Sequence, residues 1–296
     1  MRPRILALPG NETLAGVLAR CLDGHLGGAT VRPFPDGESY VRIEGDVAGR
    51  GVILVCTLDR PNEKTLPLLL LAATARDLGA RRIGLVAPYL AYLRQDRRFR
   101  AGEGVTSAYF ARLLSGAVDW LVTVDPHLHR HASLAELYPI PVRALHAAAP
   151  VASWLGVHVP DAVLIGPDAE SAQWVAAIAE LAGAPSVVLD KVRHGDRDVE
   201  VSMPASAPVR GRTPVLIDDI ISTGRTMLAT IAHLRHLGTA APVCVGIHAV
   251  CADGAHQRLL AAGAARVVTC STIAHPSNGI DVGMLVAEGV RDMLDR

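Results

Sequence analysis

Two α/β domains in tandem, each a mainly parallel β-sheet flanked by helices, are what the sequence predicts. Three observations predict them. Short apolar runs rich in Val and Ile recur along the chain, separated by Ala- and Leu-rich stretches with helical spacing. The runs are continuous rather than alternating, as in strands covered on both faces. The chain has 296 residues, enough for two cores of ordinary size.

The expected strands are Ile5–Leu8, Val52–Cys56, Ile83–Ala87, Trp120–Val124, Val163–Ile165, Val187–Leu189, Val215–Ile217, Val243–His248 and Val267–Cys270. Between them fall helices at Leu66–Leu78, Tyr109–Leu114, Ala169–Ala182, Met227–Leu237 and Val282–Leu294. Thr65 as cap would put Pro67 in the first helical turn, where its missing N–H does no harm. An Ala-rich helix and a Pro-Asp turn in "ALHAAAPVASWLGVHVPD" suggest a boundary, giving domains 1–145 and 146–296. On either side strands end in polar clusters: "LVAPYLAYLRQDRR" and "VTVDPHLHRH" in the first half, "VLIGPDAES" and "VLIDDIISTGRT" in the second. Ligands of open α/β sheets bind beyond such strand ends.

Lys+Arg equals Asp+Glu at 29 each, so no global field favours nucleic acid and anion binding must be local. Five cysteines without a CxxC pair suggest neither zinc nor a disulfide framework, and a reducing cytoplasm is the expected location. The apolar run in "MRPRILALPG" is too short for a signal peptide, and "LPLLLLAA" is far short of a membrane span.

"VLIDDIISTGRT" combines two features that oppose each other. Asp218 and Asp219 repel anions; the Gly turn opening a helix attracts them. An Asx turn feeding a capped helix is the ordinary reading. A phosphorylated pentose satisfies both features: the carboxylates accept hydrogen bonds from vicinal hydroxyls, and Ser222, Thr223, Gly224 and Thr226 present amides and hydroxyls to the phosphate.

Other clusters read less sharply alone. "FPDGE" is an aromatic ring and two acids on what is otherwise an ordinary Asp-Gly turn. "RQDRR" is either a solvated charge run or, at a strand end, a set of Arg forks for polyphosphate. No P-loop occurs, so a nucleotide would be held by side chains. His127, His129 and His131 alternate, which would suit zinc if Pro126 did not break the strand; hydrogen-bonded surface histidines are the alternative. Lys191 and Arg193 stand at alternate positions after "SVVLD", followed by a polar segment that suits a lid or hairpin.

"VLIDDIISTGRT" resembles the ribose-phosphate loop of the type I phosphoribosyltransferase fold, with Arg225 where many relatives carry a small residue. Almost the whole chain is similar to the ribose-phosphate pyrophosphokinase family, motif by motif and in order: "FPDGESYVRI", "RPNEKTLPLLLLAATARDLGA", "APYLAYLRQDRRFRAGEGVTS", "DPHLHRH", "IGPDAES", "DKVRHGD", "LIDDIISTGRT" and "HPSNGIDV". The resemblance implies two type I phosphoribosyltransferase-like domains, the first carrying ATP-side motifs and oligomer contacts, the second the ribose 5-phosphate loop and a catalytic mobile loop. It implies transfer of a diphosphoryl group from ATP to ribose 5-phosphate with Mg²⁺, in a self-associating dimer or hexamer that contacts neither nucleic acid nor membrane. It further implies that Phe34, Asp36, Glu38, Arg94, Gln95, Asp96 and His127 serve ATP, and that Asp218, Asp219, Ser222, Thr223, Gly224, Arg225 and Thr226 hold ribose 5-phosphate. His127 and Asp168 would meet the metal, and Lys191 and Arg193 would close over the transferring phosphates. A phosphoribosyltransferase or a catalytically silent regulatory subunit are the rival readings. Two departures stand out: Ala169-Glu170-Ser171 replaces the usual Gly pair, and "FRAGEGVTS" replaces a lysine-containing stretch tied to regulation.

Overall fold

The computed structural model describes residues 2–128, 130–194, 198–202 and 209–295. They fall into two compact units, one reaching Leu145 and resuming at Gly283, the other running from His146 to Val282.

Unit 1 contains β1 (Arg4–Ala7), α1 (Glu12–Cys21), β2 (His25–Pro33), β3 (Ser39–Glu44), β4 (Gly51–Val55), α2 (Pro61–Asp77), β5 (Arg82–Val86), α3 (Thr106–Ser115), β6 (Trp120–Val124) and β7 (Val142–Leu145). Unit 2 contains α4 (Ala148–His158), β8 (Ala162–Gly166), α5 (Ala172–Ala182), β9 (Ser186–Val188), β10 (Asp190–His194), β11 (Asp198–Ser202), β12 (Thr213–Ile220), α6 (Arg225–His236), β13 (Val243–His248), α7 (Ala255–Ala261), β14 (Arg266–Cys270) and β15 (Asn278–Ile280). The chain then re-enters unit 1 as α8 (Gly283–Leu294).

The first sheet has the order β3-β2-β1-β4-β5-β6-β7, parallel except for the antiparallel β2–β3 hairpin at its edge. The second has the order β15-β14-β13-β12-β8-β9 and is parallel throughout. Strands β6, β8 and β13 are buried along their whole length, as continuous apolar runs in a sheet covered on both faces should be. Leu54, Leu68, Leu71 and Leu85 centre one core, and Ile165, Leu216, Ile231 and Leu259 the other. Among the described residues no helix is long and apolar enough to cross a membrane.

Two local expectations change. Helix α2 starts a turn before Thr65, with Pro61 rather than Pro67 near its start, and Pro67 lies inside it. Pro61 carries the φ that a first helical residue needs, and Thr65 Oγ1 instead donates to the Pro61 carbonyl at 2.5 Å. The last helix, expected within 146–296, packs on α1, β6 and β7 of unit 1. Val286, Val290 and Met293 supply its buried face.

Candidate active site

In unit 2 the polar clusters gather at the carboxyl ends of β8 and β12. Strand β12 lies between β8 and β13, its four core residues buried up to Ile217, and it carries Asp218 and Asp219 out of the core. Asp218 Oδ1 accepts the Asp219 amide at 3.0 Å. Burial raises the Asp218 carboxyl well above its ordinary value, and the charges of Asp219 and then Asp168 add to the rise. Asp168 itself lies two residues beyond the end of β8, and its carbonyl accepts the Ser171 hydroxyl at 2.6 Å. Three acids that repel one another at a strand end favour a ligand bringing hydroxyl donors or a cation.

The chain after Asp219 is fixed from below. The Ile221 amide donates to the His248 carbonyl at 3.0 Å, and the Cys251 amide to the Ile221 carbonyl at 2.7 Å. Gly246 makes this seat possible, since a Cβ there would come 2.6 Å from the Ile221 side chain. Gly224 then opens α6 with φ 69°, a left-handed conformation that glycine adopts without strain. Among the described residues no side chain caps this helix, so its first amides and its dipole point outward from the turn. Arg258 of α7 holds the turn by donating to the Thr223 carbonyl at 2.9 Å. Its role was not legible in sequence, because α7 reaches the loop only through the fold.

Lys191 and Arg193 lie on β10, opposite Val201 and Val199 of β11 in an antiparallel hairpin. Strand β11 runs against α6, the helix that begins at Gly224. The hairpin's tip, residues 195–197, lies outside the described residues.

Unit 1 disperses its candidates over three strand connections. Phe34, Asp36 and Glu38 occupy the turn between β2 and β3, closed by the Phe34 amide on the Glu38 carbonyl at 2.6 Å. The Arg32 guanidinium sits 5.2 Å from the Phe34 ring and 4.5 Å from the Tyr40 ring, and Tyr40 meets Phe34 edge-on at 5.9 Å. This cation–π brace leaves Phe34 exposed but oriented. Arg94, Gln95 and Asp96 follow β5. Gln95 accepts the Thr106 hydroxyl at 3.1 Å and the Ser107 amide at 3.3 Å. The Asp96 side chain is only 5% exposed and accepts from Arg130 Nη1 at 2.8 and 2.9 Å. Arg130, within "DPHLHRH", is thus the outward partner of Asp96, and Phe99 lies between it and Arg97 at 5.6 and 5.0 Å. His127 is half-buried after β6. His131 Nδ1 stands 2.9 Å from Glu136, whose carboxyl is lowered by that hydrogen bond, while His129 lies outside the described residues.

Comparison with known proteins places this geometry. Residues 3–117 match the N-terminal domain of ribose phosphate pyrophosphokinase, and residues 147–287 match the phosphoribosyl transferase domain. The ribose-phosphate pyrophosphokinase of Methanothermobacter thermautotrophicus is 32% identical over 97% of this chain and 100% of its own length. That of Methanopyrus kandleri is 33% identical over 98% of this chain and 99% of its own. The crystal structure of phosphoribosylpyrophosphate synthetase from Mycobacterium smegmatis is 26% identical with a TM-score of 0.85, covering 100% of this chain and 99% of that one. With both halves matched in order and relatives aligned along nearly their whole length, the chain belongs to the ribose-phosphate pyrophosphokinase family.

Proposed function

We propose that this enzyme moves the β,γ-diphosphoryl group of ATP to the C1 hydroxyl of ribose 5-phosphate, giving 5-phospho-α-D-ribose 1-diphosphate and AMP. The observation that carries the reading is the pairing of half-buried, mutually repelling acids with an uncapped, glycine-led helix start a few residues on. Asp218 and Asp219 accept the sugar hydroxyls, and the segment Ser222 to Thr226 receives the 5-phosphate. Phe34, Asp36, Glu38, Arg94, Gln95 and His127 serve ATP in unit 1, with Asp96 acting through Arg130. The sugar hydroxyl attacks the β-phosphorus and AMP departs. Lys191 and Arg193 stabilise the charge that spreads over the transferring phosphates, a job of positioning and electrostatics rather than covalent catalysis.

The acids at the end of β8 and β12 fit magnesium, a hard cation that takes oxygen ligands. Among the described residues no group of three His, Cys, Asp or Glu side chains is set to hold an ion by itself, so water and substrate phosphates would have to supply most ligands of a bound magnesium. Asp168 in unit 2 and His127 in unit 1 are each proposed as magnesium contacts, His127 through water, and the bound ion would neutralise phosphate charge. A reducing cytoplasm is supported by cysteines that form no disulfide among the described residues, of which Cys56 and Cys244 have thiols pushed up to about 12 by burial. Self-association as a dimer or hexamer is supported by the apolar groove between α2 and α3, where Leu66, Tyr109 and Leu113 are exposed.

The test is product identity. Protein with Mg-ATP and ribose 5-phosphate releases AMP, because the diphosphoryl unit moves whole. Sugar-dependent ADP would mean a simple kinase, and turnover needing preformed sugar diphosphate instead of ATP would mean a phosphoribosyltransferase. A chain that binds both substrates without turnover would be a silent subunit.

A further inference from the structure

"RPNEKT" has no task in the site described above, and one residue of unit 1 is held in an unusual backbone conformation beside it. Tyr92 has φ 61°. Among the described residues it is the one aromatic side chain in the left-handed region; the others there besides glycine are Asp23, Asp125, Cys251 and Asp253. Asp tolerates that region and a bulky aromatic does not, so the surroundings must impose it.

Those surroundings are α2 and α3. The Tyr92 hydroxyl donates to Asn62 Oδ1 of "RPNEKT". Its ring rests on Phe110 of α3, with centroids 4.6 Å apart. Upstream, Thr57 Oγ1 accepts the Tyr89 amide at 3.2 Å, and the Leu58 amide donates to the Tyr89 carbonyl at 3.0 Å. Lys64 stiffens that approach, reaching the Thr57 carbonyl at 3.1 Å and pairing with Asp59. Downstream, Gln95 is tied to the start of α3 through Thr106 and Ser107. Residues 89–95 are therefore pinned at both ends, and Arg94 emerges two residues after the strained one.

We propose that Tyr92 is a positioning residue: its hydroxyl on Asn62 locks the left-handed turn that aims Arg94 and Gln95 at ATP. The proposal rests on the ATP-side reading of that segment. It also gives "RPNEKT" a task, as the bolt for the turn rather than a contact with substrate.

The experiment is steady-state kinetics of the full-length enzyme with both substrates varied. Tyr92→Phe keeps the ring on Phe110 and removes only the hydroxyl. It raises KM for ATP roughly three- to tenfold, the worth of one net hydrogen bond, with KM for ribose 5-phosphate unchanged. Asn62→Ala gives the same split, and the double variant is no worse than the poorer single one, because both remove one contact. A lower Tm in Tyr92→Phe with neither KM moved, or both KM values moved together, overturns the proposal in favour of a merely structural tyrosine. Arg94→Ala separates the two ways of failing. If it raises KM for ATP while Tyr92→Phe is silent, the positioning role is wrong. If Arg94→Ala also leaves KM for ATP unchanged, the ATP-side reading falls and the positioning role with it.

Discussion

Unit 1 orders its parallel strands β2-β1-β4-β5-β6-β7, and unit 2 orders its own β9-β8-β12-β13-β14-β15. Matched in sequence, these are one permutation used twice. Strand β4 then corresponds to β12, and the two strand ends could hardly differ more. At the end of β12 stand acid against acid, followed by a helix led by glycine. After β4 the polar groups satisfy one another: Asn11 Oδ1 accepts the Thr57 amide at 2.8 Å, Thr57 accepts from Tyr89, and Lys64 pairs with Asp59. Its helix begins at Pro61, which has no N–H to offer an anion. One copy of the scaffold has closed its strand end into structure. The other keeps it electrostatically unsettled, which is where a ligand belongs.

The slot between the first helix and the central strand diverges in a second way. Both units place an antiparallel hairpin there: β2–β3 carrying Phe34, Asp36 and Glu38 on its turn, and β10–β11 carrying Lys191 and Arg193 on its first strand. The last helices are exchanged as well. Helix α4 follows β7 of unit 1 in the chain but packs on α5 of unit 2, while α8 follows β15 of unit 2 but packs on α1 of unit 1.

Breaking the exchanged helix has the largest expected effect. Met293→Ala removes a fully buried side chain from unit 1 and costs about 2–5 kcal/mol. Denaturation followed by probes in each unit should show unit 1 melting first, with ribose 5-phosphate still bound by what remains. Simultaneous loss of both units with an unchanged Tm would remove the distinction between them.

The hairpins come next. Lys191→Ala and Arg193→Ala should each lower kcat on the order of 10²–10³-fold while Tm and substrate affinity hold, because preorganised donors act mainly in the transition state. The double variant should cost less than the product of the two. Near-normal turnover in both single variants would leave β10–β11 a plain structural ribbon.

The strand ends give the smallest effect and the sharpest contrast. Asp218→Asn or Asp219→Asn weakens hydrogen bonds to a charged acceptor, worth roughly 1.5–3 kcal/mol, so KM for ribose 5-phosphate rises about tenfold or more. Asp59→Asn, at the corresponding end in unit 1, leaves it unchanged. Asp218→Asn also carries a stability signature. The folded state holds the Asp218 proton to a higher pH than the ordinary value of 3.8. Its charge therefore costs stability above the raised value, and the cost fades as pH falls through that value toward 3.8. The substitution should accordingly raise Tm at pH 7, with the gain vanishing in acid. Melting curves across pH check this; a Tm lowered at neutral pH would contradict it.

Much of this was written in the sequence. Continuous apolar runs located β4, β5, β6, β8, β12, β13 and β14 because burial on both faces needs them. The half-exposed hairpin β2–β3 carries no such signal, since its residues are neither continuous nor cleanly alternating in hydrophobicity. Asp218 and Asp219 were legible because they are adjacent and next to a glycine turn. Arg258 and Arg130 were not, because each meets its partner across 35 and 34 residues of chain. The exchange of α4 and α8 had no local sign at all: an amphipathic helix shows that it has an apolar face, not which sheet will cover it.

That exchange has a consequence for the order in which the protein is made. N-terminal units ordinarily fold first as a chain emerges from the ribosome. Here the N-terminal unit cannot, because Val286, Val290 and Met293 of its core lie beyond every strand of unit 2. Unit 2 is contiguous and can close as soon as Val282 has emerged, so the unit begun first is finished last. Until then the strands of unit 1 wait with one flank uncovered, and that is when the newborn chain most needs protection from its neighbours.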